Sequence, residues 1–133
     1  MNGADGGVVT ISIPREAGFA TVAGLVVGGI AARHEMTIDV LDDLQLALDT
    51  LLEHEEADEG EISLVVQVDG ESIEAAVGPV GPDVVSALEQ DDDHGIGLRR
   101  LLRSTVDDVS VAERDGGHWV ELRKGYVLAG ADG

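Results

Sequence analysis

The chain has 133 residues, no cysteine and a formal net charge of −19, from 27 acidic and 8 basic side chains. This length suits one domain with its own hydrophobic core, because a chain of this size buries about two thirds of the surface that it exposes when unfolded. The absence of cysteine excludes disulfides and thiolate chemistry. The negative charge disfavours nucleic acid and anionic lipid as partners, since both are themselves negative.

The apolar run at residues 20–32 is too short to span a membrane. As a helix it extends about 20 Å, whereas the hydrocarbon core of a bilayer is about 30 Å thick. At the N-terminus no charged segment precedes an apolar one, so we predict no secretion signal and expect a cytoplasmic location.

The first elements predicted along the chain are a strand and a helix. The segment VVTISI, residues 8–13, is rich in β-branched residues and stops at Pro14, which predicts a strand, whereas the glycine-rich residues 1–7 are predicted to be flexible. Over residues 16–35 apolar side chains recur at helical spacing. Three glycines in this helix cost up to about 1 kcal/mol each relative to alanine and allow another element to approach closely. They are Gly24, Gly28 and Gly29.

Residues 41–54, LDDLQLALDTLLEH, predict a second helix around which the rest of the chain is organised. At 100° per residue its leucines form one apolar stripe that faces a core, and Thr37 or Asp39 is placed to cap its N-terminus. Its solvent face contains Asp42, Asp49 and Glu53. A side strip between the two faces consists of Asp43, Leu46, Thr50 and His54. This side strip is where we expect a site, because residues four apart are neighbours on a helix surface.

A β-hairpin is predicted after an acidic loop. Residues 62–68 and 72–77 flank Asp69-Gly70, which is typical of a hairpin turn. The sequence GPVGP at residues 78–82 is expected to end the second strand, because proline donates no ladder hydrogen bond.

Two helices and a second hairpin complete the prediction. A short helix is expected at residues 83–90, and a longer one beginning near Gly95 or Gly97. The buried side of the longer helix is predicted to consist of Leu98, Leu101, Leu102 and Val106. Strands at residues 108–113 and 118–123 flank a glycine-containing turn, and a flexible tail is expected from residue 125.

The order β-α-α-β-β-α-α-β-β predicts an α/β two-layer sandwich, with a mixed, mostly antiparallel sheet and helices on one face. In this order stand the segments DDLQLALDT, VDGESIEAAVGP, HGIGLRRLL and DVSVAERDGGHWVELRK. Together they resemble the anti-sigma-factor serine kinases of the histidine-kinase-like (GHKL, Bergerat-fold) ATPase superfamily. The resemblance covers residues 8–124 and implies one ATPase-like domain there.

The resemblance also implies where an ATP site would lie. The family carries a glutamate general base and, four residues later, a magnesium-ligating asparagine; these positions are Thr50 and His54 here. Threonine has no carboxylate to accept a proton, and imidazole lacks the hard oxygen that magnesium prefers. The family's adenine-binding Asp-x-Gly-x-Gly falls on the stretch with Gly78 and Gly81, which contains no carboxylate.

The third match is the segment HGIGL. Gly95 and Gly97 precede a helix, and Arg99 follows them with two further arginines. One interpretation is a retained site for phosphate or an acidic partner, since backbone amides at a helix start bind anions. The other is that the glycines only shape a loop and the arginines neutralise nearby aspartates.

The resemblance implies a degenerate member of the family, an anti-sigma-like regulatory binding protein of a bacterial partner-switching pathway in stress response, with lost or weakened ATP binding. Its partners would be a sigma factor, an anti-anti-sigma (STAS) protein, or both. A homodimer would form near the first strand and first helix. No cofactor or metal is expected, unless binding of ATP and magnesium is retained.

Two alternatives remain open. The first is an active ATP-dependent protein serine/threonine kinase that phosphorylates a STAS partner, with Asp43 or Asp49 as the base. The second is a fold that survives only as an assembly or ligand-sensing domain.

Overall fold

The described part of the chain forms one layer of helices on one antiparallel sheet. A computed structural model describes residues 8–15, 18–53, 60–89, 97–114 and 116–126. The elements in chain order are β1 (Val8–Pro14), α1 (Phe19–Arg33), α2 (Ile38–Glu53), β2 (Glu61–Val68), β3 (Ser72–Val80), α3 (Pro82–Glu89), α4 (Leu98–Arg103), β4 (Asp108–Arg114) and β5 (Gly117–Gly125). This order confirms the one predicted from the sequence.

The sheet has the strand order β1-β2-β3-β5-β4, and all neighbouring strands are antiparallel. Along β2 the burial alternates, with Ile62, Leu64 and Val66 buried between more exposed neighbours. Alternation with a period of two means that one face of the sheet is covered, here by the helices, and the other is open. The predicted two-layer α/β architecture is confirmed at this level.

Helix α2 supplies much of the core, as its leucine spacing predicts. Leu44, Leu48 and Leu51 are almost completely buried, while Asp42 and Glu53 are exposed. Burial of each such leucine contributes about 1.5–3 kcal/mol. The cap is Thr37, whose Oγ1 accepts a hydrogen bond of 3.4 Å from the backbone N–H of Val40.

Strand β3 is longer than predicted. It continues through Pro79 to Val80, and Val80 pairs with His118 of β5. The register between β3 and β5 shifts between Val77 and Val80, so Pro79 lies at an irregularity of the ladder. Proline is tolerated at such irregularities, because no ladder hydrogen bond is required there. The expectation that GPVGP ends the strand was therefore wrong.

Helix α4 is shorter than predicted, with six residues, and Leu101 is 39% exposed rather than buried. Leu98, Leu102 and Val106 are buried as expected. The helix stops because Thr105 Oγ1 bonds back to the carbonyl of Leu102 at 3.0 Å, and the chain then turns toward β4. Such local side-chain bonds compete with continuation of a helix.

Two residues at and after the end of β5, Gly125 and Tyr126, make backbone hydrogen bonds. The backbone N–H of Gly125 donates to Asp107 Oδ2 at 2.7 Å, and that of Tyr126 donates to the carbonyl of Glu71 at 3.2 Å. These bonds attach the last two described residues to the sheet. The predicted flexible segments, residues 1–7 and the rest of the tail at 127–133, lie outside the described residues.

Helix α1 contains the long apolar run. It has 15 residues, and none of the described helices is both long and apolar enough to cross a membrane. The predicted close approach occurs at Gly24, whose carbonyl accepts a hydrogen bond of 3.1 Å from Gln45 Nε2 of α2. Gly29, in contrast, has open space where a side chain would lie.

Gly29→Ala is expected to raise the free energy of unfolding by about 0.5–1 kcal/mol. Alanine loses less backbone entropy than glycine in a helix, and a methyl group at this position has no atom within 4 Å to collide with. Urea denaturation measures the change, and Ala32→Gly, at an exposed position of the same helix, should lower stability by a similar amount. Equal stability of Gly29→Ala and the unmodified protein would contradict this expectation.

The first hairpin turns through three residues, 69–71, and is held by one carboxylate. Asp69 Oδ1 accepts hydrogen bonds from the backbone N–H groups of Glu71 at 2.7 Å and Ser72 at 2.8 Å. These two N–H groups, Glu71 first, lower the pKa of Asp69 below its ordinary value of 3.8. The ionised form of Asp69 therefore stabilises the folded state.

Asp69→Asn is expected to lower stability at pH 7, because an amide oxygen makes weaker hydrogen bonds than a carboxylate. The folded-state pKa of Asp69 lies below the unfolded-state value, so its contribution is complete above the unfolded pKa and is lost as the pH falls through the folded pKa. Urea midpoints of the two proteins should thus converge in acid. A gap that is the same at pH 7 and at about pH 2 would be inconsistent with this role.

Candidate functional site

The side strip of α2 faces β5. Asp43 Oδ2 lies 3.0 Å from Nζ of Lys124, and α2 packs against both β5 and α4. Thr50, two turns further along the helix, is half-buried on the same side. Leu46 is 54% exposed, and His54 lies outside the described residues. The strip thus offers a hydroxyl and a carboxylate that already has a cationic partner.

Lys124 was not predicted as part of this site. It follows Val120 and Leu122 at the spacing of two that places all three on the helix-covered face of the sheet. Its side chain is 18% exposed, against 41% for its partner Asp43. The alternation along β5 is the sequence signal that could have located it. At this exposure the ion pair contributes little to stability, but it determines what the carboxylate contacts.

Gly78 and Gly81, the two glycines predicted near an adenine site, make contacts within the fold itself. Gly78 is buried in β3, where an added Cβ would lie 2.4 Å from Cγ of Trp119. Gly81 follows β3, and its carbonyl accepts N–H bonds from Val84 at 3.2 Å and Val85 at 3.4 Å, at the start of α3. Trp119 was missed in the sequence because nothing local connects it to Gly78.

The start of β2 and the two glycines lie at the same end of the sheet. Gly60 directly precedes β2, whose Ser63 pairs with Gly78. Arg15, at the end of β1, donates to the carbonyl of Pro79 and to that of Gly60.

The third part of the predicted ATP site consists of Gly95, Gly97 and Arg99. Gly97 precedes α4, and its carbonyl accepts from the N–H of Leu101 at 3.0 Å, while Gly95 lies outside the described residues. Arg99 donates through Nε to the carbonyl of Leu88 at 3.1 Å and through Nη1 to that of Val109 at 2.9 Å. The guanidinium therefore connects the end of α3 to β4.

Asp49, the second alternative base, is exposed and is rotated about 100° around α2 from Thr50. It lines an open groove of about 350 Å³ between α1 and α2. Within the described residues, no group of three or more carboxylate or imidazole side chains converges as metal ligands would. The two candidate bases thus point in directions about 120° apart around the helix.

Comparison of the sequence with protein-family models and with curated proteins gives no match. A functional conclusion therefore depends on the fold, on the side strip and on the resemblance of the sequence segments. The segment DDLQLALDT falls in α2, and the segment VDGESIEAAVGP begins in β2 and continues along β3.

Proposed function

We propose that this chain is a non-catalytic, anti-sigma-like regulatory protein of the GHKL type, which acts in the bacterial cytoplasm by binding a sigma factor or a STAS antagonist. The five-stranded antiparallel sheet with helices on one face supports this proposal. The position of the segment DDLQLALDT in α2, and that of VDGESIEAAVGP along β2 and β3, also support it.

One observation carries the non-catalytic part of the proposal: the side strip has no carboxylate at the base position. Phosphorylation of a serine requires a group that accepts the hydroxyl proton within hydrogen-bond reach. Thr50 occupies that position, and the nearest carboxylate of the strip, Asp43, is paired with Lys124 at 3.0 Å. Asp49 lines the groove between α1 and α2 and is rotated about 100° around the helix from Thr50. Binding of a partner, rather than phosphoryl transfer, is the activity that this strip supports.

The positions at which the family binds adenine and phosphate also have other contacts in this chain. Magnesium prefers a shell of oxygen ligands, and adenine recognition needs a polar anchor in a dry pocket. Gly78 instead packs against an indole, and Arg99 donates to two backbone carbonyls. These two described positions therefore provide no anchor for ATP with magnesium.

Calorimetric titration with ATP and magnesium tests this proposal. We expect no heat at millimolar ATP from the unmodified protein. The variant Thr50→Glu with His54→Asn, which restores the family's residues, should bind more strongly, and Thr50→Val with His54→Leu is its matched control. A Kd below about 0.1 mM, equivalent to about 5.5 kcal/mol, together with phosphate transfer to a STAS protein, would establish the kinase alternative instead.

The partner is tested by affinity purification from the native cytoplasm and identification of the captured proteins. The proposal requires a sigma factor or a STAS-domain protein, and the absence of both would refute it.

The proposed homodimer is placed at β1, an edge strand on which Val8 is 58% and Val9 is 40% exposed. Unpaired edge strands readily pair with another chain. Sedimentation showing a strict monomer at micromolar concentration would contradict that assembly.

A further inference from the structure

Helix α1 has an exposed side without charge. From Phe19 to Ala32 it contains no charged residue, yet Leu25 is 72% exposed and Ala20, Thr21 and Gly29 also face solvent. A helix that is apolar on all sides is normally buried on all sides. Only one side of α1 is buried by the residues that the structure describes, and its other side has the composition of a surface that another molecule covers.

This side of α1 forms one wall of the groove between α1 and α2. The floor is made by Gly24, Gln45 and Leu48, and the hydrogen bond from Gln45 Nε2 to the carbonyl of Gly24 fixes its shape. Ala20 and Leu25 form the apolar wall. The volume of about 350 Å³ is that of a site which admits a few apolar side chains.

The opposite wall is negative. Helix α2 contains five acidic and no basic residues, and Asp49 itself lines the groove. Asp42 and Glu53 are exposed on the same face of α2, one turn or two away along the helix. The basic residue on α1 is Arg33, at the far end of that helix. An apolar wall and an acidic wall thus run side by side.

We propose that this groove binds a basic amphipathic helix of another protein. The apolar side of that helix would pack on Leu25 and Ala20, and its lysines or arginines would lie against Asp49 and Asp42. This is the helix-in-groove mode of recognition, in which apolar side chains supply affinity and charge selects the partner. It does not rest on the anti-sigma assignment, because it uses only the shape and charge of α1 and α2.

A second copy of the chain fits this groove poorly. It would bring two α2 helices together, each with five carboxylates, on proteins that both carry a net charge of −19. Like charges facing each other across an interface oppose association. The charge pattern therefore favours a basic partner over self-association at this site.

The probe is a labelled synthetic helix of about 18 residues, built of leucine and lysine with the leucines on one face, and its control is a scrambled peptide of the same composition. Fluorescence anisotropy should detect binding of the amphipathic peptide alone. Leu25→Gln should weaken it about tenfold, and Asp49→Asn about threefold, an effect that disappears in high salt. Leu101→Gln on α4 and Glu89→Gln on α3 are the matched controls and should bind normally.

Three results would overturn the proposal. Equal binding of the scrambled peptide would mean non-specific attraction to an acidic protein. Unchanged binding by both Leu25→Gln and Ala20→Lys, at two exposed positions of the groove, would show that the peptide lies elsewhere. Sedimentation showing that Leu25→Gln dissociates a dimer would make a second copy the occupant.

Discussion

Gly78→Ala is expected to destabilise the protein by about 3 kcal/mol or more, or to prevent folding. The added methyl carbon would lie 2.4, 2.5 and 2.8 Å from three atoms of the Trp119 indole. The backbone at Gly78 has little freedom to withdraw, because Gly78 pairs with Ser63 of β2, and β3 pairs with β5 at Val77 and Val80 on either side of it. The indole is only 9% exposed and stacks with the Arg114 guanidinium, 5.1 Å from the ring centroid, so it has little freedom to move away.

Thermal and urea denaturation measure this effect. Gly70→Ala is the matched control, since a methyl group there has no atom within 4 Å and the expected change is small. Combining Gly78→Ala with Trp119→Leu should recover part of the lost stability, because the smaller side chain leaves room for the methyl group. A single variant as stable as the Gly70→Ala control would disprove the tight contact.

The order of the elements was predictable because each helix and strand has its own local periodicity of apolar residues. The leucine spacing of α2 identified its buried face, and alternation in β2 identified the covered face of the sheet. The glycines of the second hairpin predicted its turn, and Gly116 there adopts a positive φ of 81°, a conformation that favours glycine.

Long-range pairing was not predictable in the same way. Strand β5 lies between β3 and β4, so β3 pairs with a strand that is not its neighbour in sequence. That pairing places Trp119 against Gly78 and allows β3 to continue past Pro79. The local residue pattern of β3 or β5 predicts neither the Trp119–Gly78 contact nor the pairing past Pro79, because each involves residues about forty positions apart.

The common side of α2 on which Thr50 and Asp43 lie was predictable from the sequence, but their contacts were not. The helical spacing placed Thr50 and Asp43 on one side of α2, and the structure keeps them there. The pairing of Asp43 with Lys124 depends on how β5 docks beneath the helix, which sequence spacing does not specify. The same limit applies to Arg99. The sequence offered phosphate or nearby aspartates as its partners, whereas its described contacts are carbonyl groups.

Arg99→Met is expected to lower the free energy of unfolding by about 3 kcal/mol. Hydrogen bonds from a charged donor contribute about 1.5–3 kcal/mol each, and the variant loses one to the carbonyl of Leu88 at 3.1 Å and one to that of Val109 at 2.9 Å. Methionine retains much of the apolar stem, so the loss reports mainly the guanidinium. These bonds connect α3 to β4, and β4 is an edge strand paired on one side only, with β5.

Arg100→Met is the matched control for this variant, because Arg100 is the adjacent residue of α4 and is exposed. It should change stability by no more than about 0.5 kcal/mol. Measuring both variants by urea denaturation and by ATP titration distinguishes the two roles of Arg99. If Arg99 is structural, Arg99→Met loses much stability, and neither this variant nor the unmodified protein gives heat on titration with ATP. A phosphate-binding arginine gives the reverse, with nearly unchanged stability and loss of a measurable ATP affinity, and that result would restore the kinase alternative.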